Sequence, residues 1–112
     1  TAFSSSDERL KTNISNFKAS SLLENMNPVQ FQWNGKAKEL NKYKDTENQN
    51  YGLIAQQLEE IAPTLVKNMY GGDYKGIDYE QIIPILIQGW KEEKQKRESL
   101  EARITAIEKQ LK

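Results

Sequence analysis

Apolar and polar residues alternate from Val29 to Asn34, a pattern typical of a half-buried strand, and Gly35 ends the predicted strand. From Tyr51 to Ile61 the apolar residues recur at helical spacing instead, so this segment predicts a helix with one buried face. Proline does not continue a helix, and Ala62-Pro63 therefore marks its end. Strand and helix patterns thus follow each other along the same short stretch of chain.

Glycines mark a tight turn further along the chain. Gly71 to Asp73 separates the runs Leu65 to Tyr70 and Tyr74 to Ile77, and glycine readily adopts the positive φ that a hairpin turn requires. These runs therefore predict a β-hairpin. The segment from Lys18 to Asn27 predicts a short helix or turn, and the lysine-rich segment from Gly35 to Asn50 predicts a solvated loop.

A long helix is predicted for the C-terminal part of the chain. Asp78 and Gln81 have the spacing of a capping box, and the helix that they open can run to Lys112. Pro84 lies inside it, where a proline removes a backbone hydrogen bond at a cost of about 3 kcal/mol. We therefore expect a bend near Ile83 or a restart at Pro84.

The same helix carries apolar residues at the alternating four-three spacing of a coiled-coil seam. Glu93 and Arg97 fall on this seam, and two charged core positions would weaken packing in its middle. Isoleucine at both core positions favours a coiled coil of three helices over one of two. A single amphipathic helix that packs on its own domain is the alternative. The seam residues are Leu86, Trp90, Leu100, Ile104, Ile107 and Leu111.

These elements predict an α+β fold with two parts. A small mixed helix and strand domain at residues 1–78 precedes a long helix at residues 79–112, which forms a trimeric coiled coil. The chain has 112 residues, of which 37% are hydrophobic and 29% are charged, and this supplies few core-forming residues for a domain of its size. We therefore expect partner chains to bury apolar surface that the domain cannot bury alone.

Charge and composition argue against several classes of protein. The sixteen basic and sixteen acidic residues cancel, so no overall field attracts nucleic acid or an anionic membrane, and we expect neither as a partner. No apolar run is long enough to span a membrane. The lack of cysteine fits a reducing cytosol, and the lack of an initial methionine indicates a piece of a longer protein. We expect no metal and no other cofactor.

Candidate chemistry lies in the run from Ser6 to Lys11, which reads Ser-Asp-Glu-Arg-Leu-Lys. The chain has no histidine and no cysteine, so Lys11 is the strongest candidate for a base that could activate Ser6. A lysine acts as a base only while neutral, which requires a dry site or a neighbouring cation. Side chains five residues apart share no face of a strand or helix, so a turn must bring Ser6 and Lys11 together.

The same run also fits ordinary helix capping. Ser5 or Asp7 could cap a short helix through Leu10, and Ile14 and Phe17 follow Leu10 at helical spacing. A serine run before a helix is common capping chemistry. The hexapeptide by itself therefore favours a structural role over catalysis.

Three segments, in the same order, resemble the peptidase S74 family, the C-terminal intramolecular chaperone domains of phage endosialidases, tail fibres, tailspikes and neck appendages. The resemblance covers nearly the whole chain. Because three motifs occur in the same order, it favours catalysis at Ser6 over helix capping. The segments read Ser-Asp-Glu-Arg-Leu-Lys-Thr-Asn-Ile at 6–14, Tyr-Gly-Leu-Ile-Ala-Gln-Gln-Leu-Glu-Glu-Ile-Ala-Pro at 51–63, and Gly-Ile-Asp-Tyr-Glu-Gln-Ile-Ile-Pro-Ile-Leu-Ile at 76–87.

The resemblance implies a serine autoprotease that acts once, on its own chain. In this family a Ser-Lys dyad cuts immediately before the serine, which implies Ser6 as nucleophile, Lys11 as base and Ser5-Ser6 as the scissile bond. Asp7 and Arg9 match the motif as supporting positions, and Arg9 could orient Asp7 or stabilise an oxyanion. The resemblance also implies a homotrimer that brings the upstream fibre or spike region of its own precursor into register and is then released.

The same resemblance implies a location in the host-cell cytoplasm during phage assembly, with the parent protein in the virion tail. Two alternatives stay open. The chain could be a coiled-coil adaptor in which Ser6 only caps a helix. It could also be the equivalent self-cleaving domain of a membrane-anchored transcription factor, with a DNA-binding region upstream and a membrane span downstream.

Overall fold

The computed structural model describes residues 3–112, and these residues form four α-helices, four strands and three short 3₁₀ turns. Helices and strands are mixed and a long helix closes the chain, so the predicted α+β class is confirmed. The helices are α1 (Ser20–Glu24), α2 (Gly35–Leu40), α3 (Ala55–Ile61) and α4 (Tyr79–Gln110). The strands are β1 (Val29–Phe31), β2 (Asn50–Gly52), β3 (Val66–Met69) and β4 (Tyr74–Ile77).

Strands β3 and β4 form the predicted hairpin. They pair antiparallel, with Val66 opposite Ile77 and Met69 opposite Tyr74. Gly71 and Gly72 have φ angles of 76° and 99°, which fall in the left-handed region that glycine adopts without a steric penalty. The two glycines are thus the local reason for the turn.

Strands β1 and β2 form a second antiparallel pair, with Val29 opposite Gly52. The helix predicted from Tyr51 was therefore wrong at its start, because residues 50–52 pair with β1 and the helix begins only at Ala55. Backbone pairing with a distant strand satisfies hydrogen bonds that a helix would otherwise provide. Helix α3 does end at Ile61, as the following Ala62-Pro63 predicted.

The segment from Gly35 to Asn50 is not wholly a loop. Its first residues form α2, and the Asn34 side chain caps this helix by accepting a hydrogen bond from the Ala37 N–H at 3.0 Å. Strand β1 accordingly ends at Phe31 and does not continue to Asn34. A capping residue ahead of lysine and alanine, which are good helix formers, was the local signal for this helix.

The helical spacing of Leu10, Ile14 and Phe17 does not produce a helix. Only Glu8–Leu10 forms a single 3₁₀ turn, and residues 11–18 have no regular structure. All three apolar side chains are exposed. Short helices are stable mainly through packing of an apolar face, and this segment has no such packing in the single chain.

A small core holds the mixed domain together. Its buried members are Leu58 of α3, Leu65 of the 3₁₀ turn that follows α3, and Ile82 of α4. Since Ile82 belongs to this cluster, the first turns of α4 are part of the domain and not only of the tail. Partly buried side chains pack around the three, namely Met26, Leu53, Ala62, Val66, Ile77 and Ile85.

Helix α4 runs without a break through Pro84, so the predicted restart is wrong. Ile82 and Ile85 pack on the core on either side of the proline, which supports the helix where one backbone bond is missing. The predicted capping box is also wrong. Asp78 makes no side-chain bond to the helix backbone, and Gln81 Nε2 donates to Asp78 Oδ2 at 2.7 Å instead.

Helix α1 is fastened to α4 by a carboxylate. The Glu92 side chain accepts hydrogen bonds from the Ala19 N–H at 2.8 Å, the Ser20 N–H at 3.0 Å and the Ser20 hydroxyl at 2.5 Å. Ala19 has no capping side chain, so Glu92 satisfies the free N–H groups at the start of α1. Gly89 lies one turn earlier in α4 and is buried against this helix.

The molecule is elongated, with extents of 68 × 41 × 31 Å and a radius of gyration of 20.0 Å. A compact domain of this length would have a radius of gyration of about 13 Å. The difference arises because residues 93–110 of α4 project away from the domain and are all exposed. Among residues 3–112, no helix is both long and apolar enough to cross a membrane.

Candidate functional site

A 3₁₀ turn folds the N-terminal motif back on itself. The Asp7 carboxylate caps the turn by accepting a hydrogen bond from the Arg9 N–H at 2.9 Å. The backbone closes where the Lys11 N–H donates to the Glu8 carbonyl at 3.1 Å. Capping by Asp7 was predicted and is confirmed, and the turn directs Lys11 back towards Ser6.

The two predicted catalytic side chains are in contact. Lys11 Nζ donates a hydrogen bond to Ser6 Oγ at 2.7 Å. A base and the group it deprotonates must lie about 2.6–3.2 Å apart, and this pair satisfies that requirement. Both residues are exposed in the single chain. The turn therefore brings the two side chains to hydrogen-bonding distance and leaves both residues open to solvent.

Asp7 and Arg9 form an ion pair in the same turn. Arg9 Nε and Nη2 donate to the two carboxylate oxygens of Asp7 at 3.1 and 2.9 Å. Hydrogen bonds from the Arg9 side chain, and then from its backbone N–H, lower the pKa of Asp7, and the same pair raises the pKa of Arg9. An ionised Asp7 is a better cap for the turn. This geometry agrees with Arg9 orienting Asp7.

A hydrogen bond connects the segment before Ser6 to α4. Ser4 Oγ donates to Glu80 Oε1 in the first turn of that helix. It is the one hydrogen bond that joins residues 3–18 to the rest of the described chain. Ser5, which carries the carbonyl of the predicted scissile bond, lies between this contact and Ser6.

The predicted seam residues lie along α4 and are open to solvent in the single chain. Leu86, Trp90, Leu100, Ile104 and Ile107 have exposed fractions between 53% and 59%, and Leu111 is 81% exposed. Residues 93–110 are all exposed in the single chain, whereas the first turns of α4 pack on the domain.

An open groove of about 620 Å³ lies between the two strand pairs, away from the motif. None of the residues from Ser5 to Lys11 lines it. In residues 3–112 no three potential metal-ligating side chains cluster. The groove is therefore separate from the predicted chemistry. Its walls include six aromatic residues, namely Phe31, Trp33, Tyr51, Tyr70, Tyr74 and Tyr79.

A Ser-Lys pair on a capped turn thus precedes a small α+β domain and a long exposed helix. The family Peptidase S74, described as chaperone of endosialidase, matches residues 6–67, which is more than half of the chain. The chain belongs to this family, as its motifs predicted, and the match includes the motifs at 6–14 and 51–63 but ends before the one at 76–87. The family description points to an intramolecular chaperone role and the family name to peptidase activity. The comparison with curated proteins gives no match.

Sequence reasoning missed Glu80 and Glu92. Glu80 contacts Ser4, and Glu92 caps α1, yet both lie in a helix where charged residues are ordinary. Neither partner could be identified from spacing, since each contact spans more than seventy residues. The one available signal was that Ala19, ahead of α1, offers no capping side chain, so a cap had to come from elsewhere.

Proposed function

We propose that this chain is a self-cleaving intramolecular chaperone that forms a homotrimer, brings an upstream phage tail fibre, tailspike or neck appendage into register, and is then released. The observation that carries the proposal is the 2.7 Å hydrogen bond from Lys11 Nζ to Ser6 Oγ in a member of the peptidase S74 family. The proposed site of action is the host-cell cytoplasm during phage assembly, and the parent protein belongs to the virion tail.

The proposed reaction is hydrolysis of the Ser5-Ser6 peptide bond. Neutral Lys11 takes the proton of Ser6 Oγ while this oxygen attacks the Ser5 carbonyl carbon. The C–N bond then breaks, the proton passes from Lys11 to the Ser6 nitrogen, and an ester joins the Ser5 carbonyl carbon to Ser6 Oγ. Water adds to the ester with Lys11 again as base, the C–O bond breaks, and Lys11 returns the proton to Ser6 Oγ. The products are a carboxylic acid on Ser5 and a free amino group on Ser6.

We propose that trimer assembly enables Lys11 to act as a base. A lysine in water is held as the charged ammonium, and burial favours the neutral amine that can act as a base. Lys11 is exposed in the single chain, so neighbouring chains would have to supply the burial. Cleavage would then follow correct assembly and act as a check on it.

The surface of the single chain supports an oligomer. The chain exposes 9761 Å², whereas a folded monomer of 12.9 kDa exposes on the order of 6300 Å². Much of the excess belongs to α4, whose apolar seam is open along its length. Three such helices packed together would bury this seam, and isoleucine at both core positions favours a coiled coil of three helices.

A chaperone that trimerises first solves a kinetic difficulty of fibrous proteins. Contacts between distant parts of three chains form slowly, and the search exposes surfaces that aggregate. A trimeric C-terminal domain replaces this search by a local one at high effective concentration. Release of the domain afterwards leaves a fibre whose persistence depends on a high unfolding barrier.

The direct test uses a precursor that carries its natural upstream segment. We expect it to split into two fragments, the smaller of which begins Ser-Asp-Glu-Arg by N-terminal sequencing. Ser6→Ala should abolish the cut by removing the nucleophile, and Lys11→Arg should abolish it because a guanidinium stays protonated at any useful pH. Gel electrophoresis over time measures the fraction cleaved.

Lys18→Arg is the matched control, since Lys18 is an exposed lysine outside the motif and its replacement should leave cleavage unchanged. Hydroxylamine, which attacks esters, should accelerate cleavage of the unmutated precursor if the ester intermediate forms. Normal cleavage of Lys11→Arg would overturn the dyad. An unmutated precursor that never shortens would instead favour a coiled-coil adaptor in which Asp7 capping is the only role of the motif.

A further inference from the structure

The contact between Ser4 and Glu80 suggests a role beyond the Ser-Lys pair. Ser4 lies two residues before Ser6, on the side of the scissile bond that becomes the carboxylic acid. Its hydroxyl donates to the Glu80 carboxylate, 76 residues away in sequence. A hydroxyl bound to a carboxylate is one of the stronger hydrogen bonds, because the acceptor is charged.

This contact limits the freedom of the peptide bond that must react. Residues 3–7 have no regular structure and are exposed, so their own backbone does not fix the Ser5 carbonyl. Ser6 is held by Lys11 on one side, and Ser4 is held by Glu80 on the other. The Ser5 carbonyl therefore lies between two anchors that are separated by at most about 7 Å of backbone.

We propose that Glu80 is a positioning residue for self-cleavage, which holds the acyl side of the Ser5-Ser6 bond through the Ser4 hydroxyl. The inference rests on the proposed function above. Glu80 does not touch the reacting atoms and acts through Ser4. Its effect is to keep the Ser5 carbonyl within reach of Ser6 Oγ, since orientation of reacting groups contributes strongly to such intramolecular reactions.

The test measures the cleavage rate constant of the precursor with its natural upstream segment. Ser4→Ala and Glu80→Ala should each slow cleavage by about tenfold, as expected for loss of one hydrogen bond to a charged group. The double variant should be no slower than the slower single variant, because both changes remove the same contact. Ser4→Thr keeps a hydroxyl and should restore the unmutated rate.

Two further measurements separate positioning from a general effect on the fold. A carboxylate in the first turn also favours the helix itself, so the thermal midpoint of each variant is measured, and Ser4→Ala should leave it unchanged. Glu60→Ala, which removes an exposed carboxylate from α3, should leave the rate unchanged.

Cleavage of Ser4→Ala at the unmutated rate would overturn the positioning role of Glu80 while leaving the dyad intact. Rate losses that multiply in the double variant would overturn it as well, because the two residues would then act independently. Failure of the unmutated precursor to cut at all would overturn the proposed function, and this inference with it.

Discussion

At the residue scale, Glu92 connects two segments that lie 73 residues apart. Its carboxylate accepts hydrogen bonds from the Ser20 hydroxyl, the Gln88 amide and the N–H groups at the start of α1. These bonds, that of the Ser20 hydroxyl foremost, lower the pKa of Glu92 from 4.5 to about 2. A carboxylate at a helix N-terminus is also favoured by the helix dipole. Glu92 therefore stabilises the fold in its ionised form.

Replacement of Glu92 by glutamine should lower the melting temperature by several degrees at neutral pH, because an amide is a weaker acceptor without charge. The folded-state pKa lies below the unfolded one, so this stabilisation is complete above pH 4.5 and is lost as the pH falls through about 2. The difference between the unmutated chain and Glu92→Gln should therefore shrink over that range. Thermal melts followed by circular dichroism at a series of pH values measure it.

Glu98→Gln is the matched control on the same helix. Its carboxylate is exposed and pairs only with Lys94, at 3.7 Å, and such surface pairs contribute little. We expect no change in melting temperature from it at neutral pH. A Glu92→Gln difference that stayed constant into the acid range would mean that the carboxylate charge is not what holds α1.

At the element scale, the first half of α4 has two apolar faces. Ile82, Ile85 and Gly89 face the domain, whereas the opposite side remains open. Gly89 permits the close approach of α1, because an added Cβ would collide with Leu23 and lie 3.8 Å from the Ala19 Cβ. The open face consists of Ile83, Leu86, Ile87 and Trp90, which are 58%, 54%, 55% and 59% exposed. The helix thus connects its own domain with a surface that other chains can cover.

We expect Gly89→Leu to lower the melting temperature although leucine is the better helix former. The gain in helix propensity is about 1 kcal/mol, whereas forcing a large side chain into a packed contact costs about 1–3 kcal/mol. The displaced α1 would also lose its cap from Glu92. The double variant with Glu92→Gln should accordingly be less destabilised than the sum of the two single changes.

Lys91→Leu is the control for this prediction, since it introduces the same side chain at an exposed position of the same helix. It should leave the melting temperature nearly unchanged, because lysine and leucine have similar helix propensities. A higher melting temperature for Gly89→Leu would contradict close packing of α1 on α4.

At the scale of the whole molecule, the long exposed helix has little reason to persist alone. Its last eighteen residues, 93–110, are all exposed in the single chain, and most of the stability of helices in proteins comes from packing of an apolar face. The proposed trimer would bury the seam and so stabilise the helix. Its stability would then depend on protein concentration.

Sedimentation or light scattering should give a mass near three times 12.9 kDa for the chain. Replacement of Ile104 and Ile107 together by alanine should shift this mass towards the monomer, since each truncation costs about 2–5 kcal/mol when the side chain is fully buried. In a precursor, the same double change should leave Ser5-Ser6 intact at low concentration, and a higher concentration should restore the cut by mass action.

The opposite change tests the same seam in the other direction. Glu93→Leu together with Arg97→Leu replaces two charged seam positions by apolar ones and should lower the dissociation constant of the trimer. A stable folded monomer of the unmutated chain would refute the trimer. Fast cleavage in a monomeric variant, independent of concentration, would mean that one chain assembles the active dyad alone.

The sequence by itself determined the features that depend on neighbours along the chain. Gly71 and Gly72 specify the hairpin turn because they tolerate positive φ, and Pro63 ends α3 because it cannot continue a helix. The motif of the family identified Ser6 and Lys11 as a candidate pair. Their separation along the chain required a turn to bring them together, and the structure has this turn. Each of these rests on local backbone sterics or on a short ordered motif.

Only the tertiary structure decided which distant segments meet. The pairing of β1 with β2 converts the predicted start of α3 into a strand, and Glu80 and Glu92 contact residues near the opposite end of the chain. In sequence both glutamates resemble ordinary solvated positions of a charged helix. The partners of Glu92 follow from the packing of α1 against Gly89 of α4, and the partner of Glu80 lies in a segment without regular structure.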